Sequence, residues 1–176
     1  MAIFSPNEKI IVSGSDDKTI RIWDANTGEE IGKPFIGHSD DILCATFTCD
    51  GKKIVSASAD KTIRIWDVDD SRDDLVTFEN DNFDIEGACY NPIGNQILTW
   101  GDDKIIRFFN VHTQRWDKLL LKGHTGSIEY ASYNYNGTMI VSASRDKTIR
   151  IWDAETGYEL LNPLEGHSNT VVTVSF

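Results

Sequence analysis

Cysteine is scarce in this chain: three in 176 residues, an odd number with no CxxC pair. That excludes a disulfide frame and reads as reduced thiols in a cytoplasmic protein. Proline is scarce too, with four, while 40% of the residues are hydrophobic. The chain is therefore neither a linker nor a disordered tract. No run of about 18 apolar residues is present to cross a membrane. The opening MAIFSPNEKI lacks the basic flank and apolar run of a secretory signal. Basic charge is outnumbered, 17 Lys and Arg against 28 Asp and Glu, for a net charge of −11. That balance argues against duplex nucleic acid or anionic lipid as ligand. Phosphate-binding GxxxxGK[ST], HExxH, GxSxG and helix-opening GxGxxG are all missing, so no cofactor and no metal are expected. What remains is a core-forming chain of single-domain size, read as one segment over 1–176.

What the sequence does have is repetition. RIWD stands at Arg21–Asp24, Arg64–Asp67 and Arg150–Asp153, with RFFN at Arg107–Asn110. Trp23, Trp66, Phe109 and Trp152 follow one another at 43 positions. Gly37-His38, Gly123-His124 and Gly166-His167 keep the same phase, which Asn80-Asp81 breaks. Asp17, Asp60, Asp103 and Asp146 precede the RIWD segments at a fixed offset.

The texture within a repeat is β. IVSAS and KTIRIWD are rich in Val, Ile and Thr and are separated by a short polar turn, a hairpin signal. DILCATF, GSIEYASY and TVVTVSF form a further set, and DLVTF, KLLLK and YELLNPL supply a fourth. Each repeat is thus expected to hold four short antiparallel strands. Isoleucines on one face of KTIRIWD and Thr, Arg and Trp on the other predict a sheet covered on both sides.

The pattern GH…F…IVSAS-x-DKTIRIWD, carried end to end, resembles the WD (Trp-Asp) repeat family. The resemblance implies an all-β fold of β-propeller blades, four WD repeats of 43 residues that form a half-ring or part of a larger propeller. TGEEIGKPFIGH and TGYELLNPLEGH are also similar to WD arrays attached to large signalling NTPases.

His38, Ser56 and Asp60, and again His124, Ser142 and Asp146, have the composition of a hydrolase triad. A catalytic site is needed once, whereas a structural tie is needed in every blade, so a buried hydrogen-bond network is the expected reading and the chain is expected not to be an enzyme. By the resemblance, the histidine bonds the turn aspartate and a strand hydroxyl, which accepts from the Trp66 or Trp152 indole. A turn centred near Lys61 would set Trp66 opposite Ser56. The same offset selects Ser13 for Trp23, Thr99 for Phe109 and Ser142 for Trp152.

The third repeat departs from this plan. Phe109 has no indole N–H, Asp81 replaces the histidine, and Trp100 fills the slot of Gly14, Ala57 and Ala143. Asp81 and Asp103 would face each other as like charges, an unfavourable pairing. Drift in a redundant blade and release of that blade for binding both fit. From Asp67 to Glu86 nine acids stand against one arginine. A solvated loop accounts for such a run as well, and a calcium-loop pattern is lacking. By the resemblance, the ligand-facing rim consists of Asp41, Leu43 and Ala59; Asp84, Glu86 and Asp102; and Ser127, Glu129 and Arg145. Asp16, Thr170 and Val172 come from the flanking repeats. All three third-repeat positions are acidic, which would suit a basic peptide.

Two function classes follow. One is a non-catalytic scaffold that docks a protein or basic peptide on the acidic rim; the other is a detached sensor segment of a larger signalling NTPase. Phe4 and Phe176 lie at the same phase of the repeat, and Thr170–Phe176 reads as an inner strand. The expectation drawn from this is a homodimer in which each final strand completes the partner's first blade, closing an eight-bladed ring.

Overall fold

The computed structural model describes residues 2–69, 74–79 and 84–176, and among them there are strands and no helix. The strands are distributed over four antiparallel sheets, each a propeller-type blade. The chain divides into two compact units, Met1–Tyr90 and Asn91–Phe176.

In unit 1 the first sheet is β1 (Ala2–Phe4), β2 (Ile10–Gly14), β3 (Thr19–Asp24) and β4 (Phe35–Ile36), in that order. The second is β5 (Ile42–Phe47), β6 (Lys53–Ser58), β7 (Thr62–Asp67) and β8 (Asp74–Glu79). β9 (Ile85–Tyr90), the first strand of the third sheet, belongs to this unit. Unit 2 holds β10 (Gln96–Gly101), β11 (Ile105–Asn110) and β12 (Arg115–Lys122), then the fourth sheet of β13 (Ile128–Tyr133), β14 (Met139–Ser144) and β15 (Ile149–Asp153).

The second strand of the last three blades is buried almost throughout, whereas in β2 only Val12 is fully buried. Ile54 to Ser58 on β6 and Ile140 to Ser144 on β14 are buried without alternation, because both sheet faces are covered. In unit 1, Val12, Ile20, Ile22, Phe35, Ile42, Ala45, Phe47, Ile54 and Trp66 form one continuous cluster.

Three strand expectations need correction. The fourth strand of the first repeat shrinks to β4 and a bridge between Glu30 and Trp23; Gly32 and Pro34 stand between. In the fourth repeat it is reduced to two bridges, Glu159 with Trp152 and Leu164 with Ile149, on either side of Pro163. Proline has no N–H for a ladder, so each interrupts the strand it falls in. Thr170–Phe176 forms no strand: it has no neighbouring ladder, and its Val171 N–H instead donates to Ser144 O at 3.1 Å.

The hairpin register also differs from the arithmetic. Ala57 pairs with Ile63, so Asp60 rather than Lys61 is the middle of the turn. Trp66 then lies opposite Ile54, and Ser56 opposite Arg64. The turn needs a left-handed residue, and it is lysine each time: Lys18, Lys61, Lys104 and Lys147 have φ of 70, 66, 69 and 73°.

Candidate functional site

The recurring polar residues meet despite the shifted register, because an indole reaches diagonally across two rows of the ladder. In the second repeat, Trp66 Nε1–H donates to Ser56 Oγ at 2.9 Å. Ser56 Oγ lies 2.7 Å from His38 Nε2, and His38 Nδ1 lies 2.9 Å from Asp60 Oδ2. Asp60 further accepts from Ser39 N–H at 2.9 Å and from the Thr62 hydroxyl at 2.6 Å. One direction of donation satisfies every member: Trp to Ser, Ser to His, His to Asp. The fourth repeat repeats it, with Trp152 to Ser142 at 2.9 Å, Ser142 to His124 at 2.8 Å and His124 to Asp146 at 2.8 Å.

Burial alone would raise the Asp60 carboxyl, but the bonds from Thr62, Ser39 and His38 outweigh it and hold it at about 2. Asp146 is likewise held well below the usual carboxylate range. Burial pushes the His124 imidazole down, with Asp146 opposing in part. Ser56 and Ser142 expose no surface, and each oxygen already accepts an indole N–H. A substrate carbonyl has no route to either hydroxyl while the blade is folded.

The Gly of each Gly-His pair has a packing reason. A Cβ on Gly37 would sit 2.8 Å from Arg64 Nη1 and 2.9 Å from Trp66 Cη2; on Gly123, 2.7 Å from Arg150 Nη1 and 3.0 Å from Trp152 Cη2. The glycine lets guanidinium and indole lie against the backbone.

The third repeat has a different interior. Thr99 Oγ1 and Trp100 Nε1 are buried with no hydrogen-bond partner among the described residues. Asp103 is held by Arg107, its Oδ1 3.1 Å from Nη1, so its charge is met within its own repeat. Asp81, and with it the expected repulsion against Asp103, lies outside the described residues, as do Asn80 and Asp70 of the acidic run. Trp100 packs on Tyr130 at 5.7 Å between ring centroids, and Phe109 edge-on to Trp116 at 5.2 Å. The Arg107 pairing and the left-handed lysine of the four hairpin turns have no counterpart in the sequence reading; the recurring Asp-Lys dipeptide is a signal for the second.

The rim positions fall as follows. In unit 1, Ile42 N–H donates to Ser15 O at 3.2 Å, so the turn bearing Asp16 abuts the strand after Asp41. Ala59 N–H donates to Asp41 O at 2.9 Å, and Lys61 Nζ lies 3.2 Å from Asp84. Asp16, Asp41, Ala59 and Asp84 thus follow one another along one edge of the unit. Asp16, Ala59 and Asp84 are exposed, while Asp41 and Glu86 are half-buried. In unit 2, Asp102 is exposed, Ser127 is half-buried, and Glu129 pairs with Arg145. Leu43 and Glu129 are the extra residues of β-bulges on β5 and β13, a device that re-aims a side chain. Two of the rim acids, Asp84 and Glu129, therefore face a cation of the chain itself.

Blades of this construction, tied by Trp, Ser, His and Asp, define a repeat protein of the propeller class. The family model described as WD domain, G-beta repeat (WD40) matches residues 1–24, 28–67 and 117–153, more than half of the chain. The chain belongs to the WD40 repeat family. It is similar to a guanine nucleotide-binding protein subunit beta of Solanum tuberosum, 39% identical over 51 residues, and to subunit beta-2 of Nicotiana tabacum, 37% identical over 51 residues. Each match covers 29% of this chain and 14% of the relative's length.

Proposed function

We propose that this chain is a non-catalytic scaffold that binds a lysine- or arginine-rich protein segment on its acidic rim. The observation that carries the reading is the contiguous edge of unit 1 that bears Asp16, Asp41 and Asp84, with Glu86 two residues on; Asp102 is the exposed acid at the matching place in unit 2. Membership of a family typical of protein-interaction scaffolds supports it. Lysine-rich peptides titrated against the chain by fluorescence anisotropy should bind at low salt and weaken as salt rises. Glu86→Lys and Asp102→Lys should weaken binding more than Asp69→Lys. Lack of binding at low salt would overturn the proposal. Turnover of an ester or peptide panel would overturn its non-catalytic part.

The alternative, a sensor segment of a larger signalling NTPase, draws on the guanine nucleotide-binding relatives matched over a small part of their length. Residence in the cytoplasm fits the exposed free thiol of Cys49. Pairing of two copies into an eight-bladed ring belongs to the same proposal. Ala2, Ile3 and Phe4 already pair with Ser13, Val12 and Ile11, so an incoming strand has to displace β1. Light scattering reads that assembly directly.

A further inference from the structure

A second surface of unit 2 lies at the other end of its strands. Asp102 follows the end of β10, whereas Gln96, its first residue, lines a groove of about 340 Å³ with Tyr133, Gly137, Asp153 and Glu155. The Tyr133 hydroxyl donates to Gln96 Oε1 at 3.0 Å and ties two of these residues together. The turns at 91–94 and 134–137 flank the groove and touch: a Cβ on Gly137 would come within 3.2 Å of Pro92 Cδ.

Each of these turns exposes a large apolar side chain, Ile93 at 75% and Tyr135 at 90%. The turns do not require them, since the left-handed position is filled by Gly94 and by Gly137, with φ of 77 and 74°. At the matching positions of the other repeats, Ile93 is replaced by Asn7, Asp50 and Asn136, and Tyr135 by Pro6, Cys49 and Pro92. One exposed isoleucine is ordinary; here an isoleucine and a tyrosine are both exposed on touching turns that flank a groove. The groove has no lysine or arginine in its lining and carries two acids. Asp153 is engaged by the N–H groups of Glu155 and Thr156, at 3.1 and 2.7 Å, while the Glu155 side chain is exposed.

An internal comparison separates the architecture from the chemistry. In unit 1, Phe4, Glu8, Ala25 and Asn26 line a groove of about 370 Å³ at the positions that match Tyr133, Gly137, Ala154 and Glu155. Its adjoining turn carries Pro6 and Asn7, and Asn26 stands in the place of Glu155. A groove recurs at this place in both units; the exposed Tyr135 together with Glu155 is particular to the fourth repeat, beside Ile93 of the third.

We propose that the groove flanked by Ile93, Tyr135 and Glu155 is a docking site for a short partner-protein segment carrying an aliphatic or aromatic side chain next to a lysine or arginine. The apolar side chain packs on Ile93 and the Tyr135 ring, and the cation meets Glu155. This does not depend on the acidic rim. The test is to pan a phage library of random peptides of about 12 residues on the 176-residue chain, with counter-selection on a Tyr135→Ala/Glu155→Lys variant of matching thermal stability. Enriched peptides should pair an aromatic or aliphatic residue with Lys or Arg. Their affinity should fall about tenfold or more in Ile93→Asp and in Glu155→Lys, and hold in the rim variants Glu86→Lys and Asp102→Lys. Failure to enrich, enrichment of peptides without a basic residue, or equal loss in the rim variants would each overturn the proposal.

Discussion

Ser13, Ser56, Thr99 and Ser142 occupy one position in four repeats but differ in what their hydroxyls touch, so removing the hydroxyl should give a graded series. Ser142→Ala strips an acceptor from Trp152 Nε1 and a partner from His124 Nε2, both inside a buried network. Each orphaned buried polar group costs about 1–3 kcal/mol, and relaxation shares part of it, so about 2–4 kcal/mol is expected. Ser56→Ala should match it, since Trp66 and His38 stand in the same relation. Ser13→Ala loses the bond from Trp23 alone, at a half-exposed site, for about 0.5–1.5 kcal/mol. Thr99→Val exchanges a partnerless buried hydroxyl for a methyl of similar size and should be neutral or stabilise by up to about 1 kcal/mol. Urea unfolding followed by tryptophan fluorescence, with slopes compared across the set, reads the order. Should Thr99→Val cost as much as Ser142→Ala, the hydroxyl of the third repeat is bonded and the account of that repeat fails.

Acid should destabilise the chain over two overlapping pH ranges. The folded His124 imidazole binds a proton less readily than the unfolded one, so its contribution is complete above about pH 6.5 and lost as pH falls below that. Asp60 and Asp146 are depressed carboxylates whose contribution is complete above about pH 4 and lost as pH falls toward the folded values; for Asp60, held at about 2, it amounts to about 2 kcal/mol. A melting temperature unchanged from pH 7 to pH 4 would contradict the His124 part. Separately, Lys147→Asn places a residue that tolerates φ of 73° in the last hairpin turn and should raise stability by about 0.5–1 kcal/mol in the same urea assay. A loss of stability would mean that the lysine contributes something beyond its backbone conformation.

Blade boundaries were legible because the aromatic anchor, the turn aspartate and the Gly-His pair repeat at one interval, and no short-range ambiguity survives four copies. The identity of the hydroxyl partner was legible too, though for an incomplete reason. Counting from the turn assumed that Trp66 and Ser56 sit opposite each other, whereas the pairing is diagonal and relies on the length of the indole. What could not be read were contacts that depend on where long side chains lie in space. Gly37 is glycine because Arg64 and Trp66 press on it from another strand, and nothing in the Gly-His dipeptide reports that. Ile93 and Tyr135 sit among turn residues, where sequence patterns register Gly and Pro and pass over the side chain between them.

The third repeat tests how interchangeable polar ties and aromatic packing are. It has no indole at position 109 and leaves Thr99 without a partner among the described residues, yet Phe108, Phe109 and Trp100 are buried. Phe109 pairs with Trp116 within it, and Trp100 packs against Tyr130. Such pairs contribute about 0.5–1.5 kcal/mol each beyond their buried area, comparable to the net worth of a hydrogen bond. The strand ladder of β10 and β11 keeps the register of the other hairpins, with Ile97 opposite Phe109 and Thr99 opposite Arg107. Among its described residues the repeat keeps the hairpin register, meets Asp103 with Arg107 and packs Phe109 and Trp100 against further rings. The WD40 family match leaves out most of this repeat, stopping at residue 67 and resuming at 117.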